Sequence, residues 1–205
     1  MSAQINGIDY YLTTVSPYAY LAGDRPERIA AKHGLAIRYL PVDLGKVFPT
    51  TGGLPLPKRA PARKAYRMQE LRRWSAHLGM AMTLEPKFFP VNGQPTGLAV
   101  IAAQRLGADA GALARWYLSA LWTREQDLAD PAVVAEGLAE VGLGAEAVTA
   151  EDEATFEANA EAALRSGVFG APSFVAGEEL FWGQDRLEML DGYLSGDLSG
   201  RKAAG

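Results

Sequence analysis

The sequence predicts an α/β fold in which two strand-containing segments enclose a long helical block. Apolar and β-branched runs suited to buried strands lie within residues 5–42 and again within residues 168–182. Between them, apolar residues recur at helical spacing for about 100 residues, and capping residues and glycines divide this region into separate helices. The predicted order of elements is therefore βαβ, a helical insertion, and ββα.

The first strand is expected over residues 5–12, and Ser16-Pro17 follows it. Serine is a good N-cap, and proline suits the first helical position, where a backbone N–H would be unpaired anyway. Capping is the first interpretation of Ser16. The alternative is that its hydroxyl and the positive helix end form a site for a phosphate, a carboxylate or a thiolate.

The first helix is expected to run from Ser16 toward His33. Gly23 and Pro26 predict a kink or a restart near Asp24, because proline removes one helical hydrogen bond. A second strand follows over residues 35–42, and a strand, helix and strand in this order predict a parallel pair.

Glycine and proline are frequent from Asp43 to Pro61, which predicts a long loop before a helix from Ala62 to Leu78. The segment Lys58–Arg73 contains seven basic residues and the single acid Glu70. A solvated helix face is the first interpretation of this basic run, and anion binding is the alternative. Three of its arginines recur at four-residue steps: Arg59, Arg63 and Arg67.

Further helix starts are predicted at Thr96, Asp109, Asp130 and Thr149, all of which can cap a helix. The irregular, proline-rich segment 84–95 could line a site.

The strand pattern returns near the C-terminus. Residues 168–176 form a short strand entered through Pro172, and a turn leads to a second strand over residues 179–182. A last helix is expected to end at Gly196.

Composition excludes several classes of function. A formal net charge of −4 gives no general attraction to nucleic acid or to an anionic membrane. No apolar run reaches the roughly 20 residues that span a bilayer, and the N-terminus lacks a signal-peptide pattern. We expect a soluble, cytoplasmic protein.

The chain contains no cysteine and only two histidines, His33 and His77. A disulfide, a thiolate metal site and a protein thiol nucleophile are therefore excluded. Each histidine stands near the expected C-terminal end of a helix, where a cation is favoured, so structural roles are expected and no metal site is predicted.

The βαβ and ββα halves resemble the thioredoxin fold, and the helical insertion resembles its DsbA-like branch. Segments 16–21, 167–174 and 181–187 resemble the 2-hydroxychromene-2-carboxylate isomerase family, which is related to kappa-class glutathione transferases. The resemblance implies a discontinuous thioredoxin-like domain of residues 1–45 and 165–205, with a helical domain of residues 46–164 inserted.

The resemblance also implies glutathione as the cofactor. Since this chain has no thiol of its own at the start of the first helix, a sulfur at the site would be supplied by that cofactor. Ser16 would be the catalytic residue, and a cis Pro172 would lie beside it. The backbone of Ala171 would pair with the cysteinyl part of glutathione, and Gln184 and Asp185 would hold its γ-glutamyl end.

On the substrate side, the family pattern has an Asn after a Gly and a Lys in Pro-x-Lys, whereas this chain has Gly53 and Arg63 at the corresponding places. The resemblance implies that Arg63, the adjacent Lys64 and Asn92 contact an aromatic carboxylate substrate.

Three functions follow from these observations. The first is a glutathione-dependent cis–trans isomerase of 2-hydroxychromene-2-carboxylate-type intermediates of aromatic degradation. The second is a kappa-like glutathione transferase that conjugates electrophiles. The third is a non-catalytic thioredoxin-like binding or chaperone module. The resemblance also implies a homodimer.

Overall fold

A four-stranded sheet unites the N-terminal and C-terminal segments of the chain. The computed structural model describes residues 5–197. The strands are β1 (Gly7–Leu12), β2 (Ala36–Pro41), β3 (Ser173–Ala176) and β4 (Glu179–Trp182). Their spatial order is β2-β1-β3-β4, with β1 parallel to β2 and antiparallel to β3, and with β3 and β4 as an antiparallel hairpin. The predicted α/β fold class is confirmed.

Nine α-helices lie within residues 5–197. They are α1 (Pro17–Ala22), α2 (Arg25–Lys32), α3 (Leu44–Thr51), α4 (Pro61–Leu78), α5 (Gln94–Arg105), α6 (Ala110–Trp122), α7 (Pro131–Glu140), α8 (Ala150–Arg165) and α9 (Leu187–Leu194). Helices α3 to α8 form the insertion between β2 and β3. In the part of the chain that the structure describes, no helix combines the length and the apolar character needed to cross a bilayer.

Local capping signals place most helix starts where the sequence predicts them. Asp109 accepts a hydrogen bond from the N–H of Ala112 at 2.8 Å, and Asp130 accepts one from the N–H of Ala132 at 2.9 Å. Thr149 and Asp152 form a reciprocal capping box at the start of α8. Because each cap satisfies a donor that the helix leaves unpaired, these residues fix the helix starts locally.

The predicted loop from Asp43 to Pro61 is wrong in its first half, where α3 forms. Asp43 caps this helix by accepting from the N–H of Gly45 at 2.7 Å. Val47, in the middle of α3, is fully buried against α8. The cap and this burial outweigh the hydrogen bond that Pro49 removes inside the helix.

Thr96 does not cap α5, because the helix begins two residues earlier at Gln94. The side-chain oxygen of Asn92 accepts from the N–H of Gln94 at 3.0 Å. Thr96 is fully buried, and its hydroxyl lies 2.7 Å from that of Thr14. Its polar group therefore joins the helix to the end of β1.

Both histidines make structural contacts at helix ends. His33 ends α2, and its Nε2 lies 2.7 Å from a carboxylate oxygen of Asp191 on α9. His77 lies in the last turn of α4, with its ring 5.4 Å from that of Trp74.

The two faces of the sheet are covered by different helices. On one face, Leu12 and Phe174 share a buried cluster with Leu113 of α6. On the other, Tyr11 shares a cluster with Val47 and with residues of α8, because successive strand residues point to opposite faces. The insertion thus packs directly on the sheet, and the domain boundaries near residues 45 and 165 stay a prediction.

Candidate active site

Ser16 lies in the tight connection between β1 and α1. Its backbone is extended, and its hydroxyl oxygen accepts a hydrogen bond from the N–H of Ala19 at 3.2 Å. Pro17 occupies the first helical position. The capping role predicted for Ser16 is therefore confirmed.

The same hydroxyl faces the segment that leads into β3. Ser16 Oγ lies 3.5 Å from the carbonyl oxygen of Ala171. The Ala171-Pro172 peptide is cis, as the resemblance predicts. Because Tyr11 pairs with Ser173 in the sheet, the end of β1 and the start of β3 are held side by side.

A third segment joins these two. The carbonyl oxygen of Pro172 accepts a hydrogen bond from the N–H of Gly183 at 2.9 Å. Gly183 has a φ of 105°, which glycine adopts without the steric cost that a side chain would add. It opens the short 3-10 turn Gln184–Arg186, so that the two predicted cofactor-binding segments lie next to each other.

Gln184 is only 1% exposed, and its side-chain oxygen accepts a hydrogen bond from Arg25. Arg25 also donates to the carbonyl oxygens of Leu21 and Ala22, at 2.8 and 3.2 Å. Arg25 thereby satisfies carbonyls that the end of α1 leaves unpaired. The contact fixes the 184–186 turn against the first helices.

Asp185 is exposed beside Gln184, and its carboxylate lies 3.7 Å from the guanidinium of Arg186. This distance leaves a weak surface ion pair, which competes little with another cation. Asp185 can therefore accept hydrogen bonds from an ammonium group.

The irregular segment 84–95 approaches the site from the insertion. The hydroxyl of Thr14 donates to the carbonyl oxygen of Gly93 at 3.2 Å. Asn92 lies beside this contact, but its side-chain oxygen accepts from the backbone of Gln94. Asn92 is exposed, and its amide NH₂ is open to a ligand.

Arg63 and Lys64 lie in the first turn of α4. Lys64 donates to the carbonyl oxygen of Pro57 at 2.8 Å, and Arg63 is exposed. Within residues 5–197, no contact joins either side chain to Ser16, to Ala171 or to the 184–186 turn.

The structure instead buries Arg67, which the sequence did not single out from its basic run. Arg67 is only 9% exposed, and its guanidinium carbon lies 5.4 Å from the centre of the Phe89 ring. Burial raises the pKa of the Tyr18 hydroxyl, and the charge of Arg67 nearby partly offsets this increase. The interpretation of the basic run as a solvated helix face is therefore wrong for Arg67. Its place in the series of arginines at four-residue steps was the one sequence signal for it.

Other features lie away from Ser16. Two surface depressions of about 380 and 490 Å³ lie beside the first residues of β1 and β2 and between Lys46 and α8. Neither contains a predicted site residue. Among residues 5–197, no three His, Asp or Glu side chains are grouped so that they could hold a metal ion.

Comparison with known proteins connects this geometry to a family. Residues 7–195 match the family model of the DSBA-like thioredoxin domain. The 2-hydroxychromene-2-carboxylate isomerase of Pseudomonas putida is 32% identical over 192 residues, which cover 90% of this chain and 92% of that protein. The isomerase of Pseudomonas sp. (strain C18) is 31% identical over 199 residues, with 92% and 90% covered. The chain belongs to the DsbA-like 2-hydroxychromene-2-carboxylate isomerase family.

The solved structures agree. A 2-hydroxychromene-2-carboxylate isomerase structure superposes with a TM-score of 0.70 at 27% identity, covering 92% of this chain and 94% of that one. The structure of the DsbM disulfide reductase of Pseudomonas aeruginosa with GSH superposes with a TM-score of 0.66 at 22% identity, covering 94% of this chain and 98% of that one. This likeness shows that the two proteins share a fold. The kappa 1 glutathione S-transferase of Caenorhabditis elegans is 34% identical over 82 residues, 40% of this chain and 36% of its own. This member of the isomerase family is therefore an enzyme of the isomerase class.

Proposed function

We propose that the protein is a glutathione-dependent cis–trans isomerase of 2-hydroxychromene-2-carboxylate or a closely similar unsaturated acid. The observation that carries the proposal is the position of Ser16, whose hydroxyl faces Ala171-Pro172 in a chain without cysteine. This is the place where a dithiol oxidoreductase of the same fold would carry a reactive thiol. Here the sulfur would arrive with the cofactor.

The described residues fit glutathione at three points. Ser16 would donate its hydroxyl hydrogen to the sulfur, the backbone of Ala171 would pair with the cysteinyl peptide groups, and Asp185 would hold the α-ammonium group. Gln184, buried and hydrogen-bonded to Arg25, would act by positioning the turn that carries Asp185. When bound, glutathione would supply a sulfur nucleophile that adds reversibly to the conjugated double bond of the substrate.

Ser16 would act by favouring the ionised form of that sulfur. A free thiol has a pKa near 8.5, so only about 3% is thiolate at pH 7, and lowering this pKa by about 2 units requires about 2.7 kcal/mol. A hydrogen bond to a charged group contributes about 1.5–3 kcal/mol. Because α1 has only six residues, local donors at its start, rather than a long helix dipole, would supply the stabilisation.

The substrate would approach from the side of the insertion. Asn92 would contribute its amide NH₂ near the end of β1. Arg63 and Lys64 would attract an anionic substrate toward the site across solvent, a contribution that weakens with ionic strength. A homodimer and a cytoplasmic location stay predictions from the sequence.

The direct test follows the isomerisation of 2-hydroxychromene-2-carboxylate by ultraviolet absorbance, with and without glutathione. We expect turnover to require glutathione and to leave its total concentration unchanged. Turnover at the same rate without glutathione would contradict the proposal.

A second candidate function is glutathione transfer, which the 34% identity to a kappa-class transferase over part of the chain supports. The two activities would use the same cofactor site. Mass spectrometry separates them, because transfer consumes glutathione stoichiometrically and leaves a stable thioether, whereas isomerisation does neither.

A further inference from the structure

Among the residues that the structure describes, Arg67 is a buried cation without an anionic partner. Its side chain lies on α4 and is 9% exposed. Its guanidinium donates a hydrogen bond to the sulfur of Met68 at 3.6 Å, which is a weak acceptor. Within residues 5–197, no carboxylate lies within ion-pair distance of Arg67.

Such burial is unfavourable by itself. Removing a charged group from water costs free energy unless a counter-charge and hydrogen bonds compensate. Burial lowers the pKa of Arg67, and the charge of Arg59 also favours a lower value, yet a guanidinium stays protonated at neutral pH. The Phe89 ring compensates in part through a cation–π contact. Arg59, which precedes α4 and lies eight residues before Arg67, adds a second positive charge nearby rather than an anion.

Two elements around Arg67 connect it with the segments that adjoin Ser16. Helix α4, which carries Arg67, packs against α1, where Tyr18 is only two residues beyond Ser16. Phe89 belongs to segment 84–95, which Gly93 joins to Thr14 at the end of β1. Among the described residues, the contacts of Arg67 are with Met68 and Phe89 and not with the segments proposed to hold glutathione, 171–172 and 183–186.

We infer that Arg67 binds the carboxylate of the substrate, with Arg59 as a second cation and the Tyr18 hydroxyl as a further donor. The inference rests on the proposed function for the identity of the acid, and it moves the direct contact from Arg63 to Arg67. A guanidinium offers two parallel N–H donors that match a carboxylate, and the Phe89 face beside it suits a planar, unsaturated acid. One bound carboxylate would supply the counter-charge that the fold omits.

The binding test uses chromone-2-carboxylate, an unreactive planar acid, and its methyl ester as an uncharged match, both titrated into the full chain by calorimetry. Loss of one charge-assisted, bidentate contact predicts that Arg67→Met weakens binding of the acid about tenfold or more and leaves binding of the ester nearly unchanged. The control is Arg72→Met, which removes the same charge from an exposed position of the same helix and should bind the acid like the wild type.

A second readout separates binding from packing. In the absence of ligand, Arg67→Met should unfold at the same or a higher temperature than the wild type, because it removes an unpaired buried charge. Chromone-2-carboxylate should then raise the unfolding temperature of the wild type more than that of the variant. If Arg67→Met does not fold, Arg67→Lys is the alternative variant. It keeps the charge but loses the two parallel N–H donors, and it should weaken binding of the acid more than binding of the ester.

Three results would overturn the inference. The first is equal affinity of Arg67→Met and the wild type for the acid. The second is an equal loss of affinity for the acid and the ester, which would assign Arg67 to packing alone. The third is an unchanged affinity for the acid with a reduced affinity for glutathione, which would assign the carboxylate to the cofactor. Failure of the glutathione-dependent isomerase assay, with acid binding still dependent on Arg67, would reject the proposed function and leave this site in place.

Discussion

The hydroxyl oxygen of Ser16 lies 3.5 Å from the carbonyl oxygen of Ala171, although the two residues are 155 positions apart in the chain. This distance is at the outer limit of a hydrogen bond. The N–H of Ala19, by contrast, donates to the same hydroxyl oxygen at 3.2 Å and fixes its position. The Ser16 hydrogen is thus only weakly held and can turn toward a better acceptor between α1 and the start of β3.

Replacing Ser16 with alanine should abolish most activity while the fold persists. Removal of one positioned hydrogen-bond donor to a reacting anion commonly lowers turnover about 100-fold, and loss of an N-cap costs about 1 kcal/mol of stability. Steady-state isomerisation kinetics and thermal unfolding measure the two effects. Asp109→Ala is the matched control, since it removes a cap from α6 and should lose similar stability with unchanged turnover. Wild-type turnover in Ser16→Ala would leave Ser16 as a helix cap alone.

Asp185→Asn should raise the KM for glutathione about tenfold with little change in kcat, because one hydrogen bond between charged groups is weakened. Initial rates at varied glutathione concentrations measure this effect. Glu188→Gln removes another exposed acid, in the first turn of α9, and should keep the wild-type KM. An unchanged KM in Asp185→Asn would remove Asp185 from the proposed cofactor site.

Gly93→Ala should disturb the contact between segment 84–95 and the end of β1. An added Cβ would lie 2.8 Å from Val15 Cγ1 and 3.0 Å from Thr14 Oγ1, so the segment must shift, at a cost of about 1–3 kcal/mol. We expect lower stability and a lower kcat/KM for the acid substrate.

Gly137→Ala is the control for this variant, because its Cβ would lie 2.4 Å from the buried ring of Tyr117. It should destabilise the protein without a specific loss of kcat/KM once both variants are assayed below their unfolding temperatures. An equal kinetic effect in the two variants would contradict a specific role for segment 84–95.

The contribution of Asp152 to the free energy of unfolding should change with pH only under acidic conditions. Burial acts to raise its pKa, but hydrogen bonds from Arg105 at 2.9 Å and from the N–H of Thr149 at 2.8 Å hold this pKa below its usual value. Since the unfolded chain then binds the proton more readily, the stabilisation is present above about pH 4 and is lost as the pH falls through the folded-state pKa.

Asp152→Asn should therefore lower the free energy of unfolding by about 3 kcal/mol at pH 7. Urea unfolding from pH 7 down to pH 3 should show the difference from the wild type shrinking in acid. Glu153→Gln, an exposed acid in the same turn, should change stability by less than about 0.5 kcal/mol. A difference that stayed constant over this pH range would contradict the argument.

Much of the fold can be predicted because its signals are local. The restart between α1 and α2 follows from Gly23 and Pro26, and Asp130 fixes the start of α7 by a contact only two residues away. Helix α3 was missed because the density of glycine and proline suggested a loop, while the burial of Val47 that stabilises the helix depends on α8, more than 100 residues later.

The candidate site divides in the same way. Ser16 and Pro172 can be singled out from short sequence motifs. That the two residues lie close together then follows from the adjacent positions of β1 and β3 in the sheet. Arg67 cannot, because a four-residue step of arginines describes a solvated face as well as a buried one. Its burial arises only when α4 packs beside Tyr18 and segment 84–95, and the sequence does not specify that packing.

The contact between Arg25 and Gln184 has a consequence for how this architecture can diversify. Together with the pairing of β1 and β3, it joins the segments proposed to bind glutathione through residues that lie outside the insertion. Arg67 and Phe89, by contrast, both come from the inserted helices and their connections. If Ser16 and Arg67 have the proposed roles, changes in the insertion would alter which acid binds and leave the site at Ser16 unchanged, so that selectivity and reactivity would evolve separately.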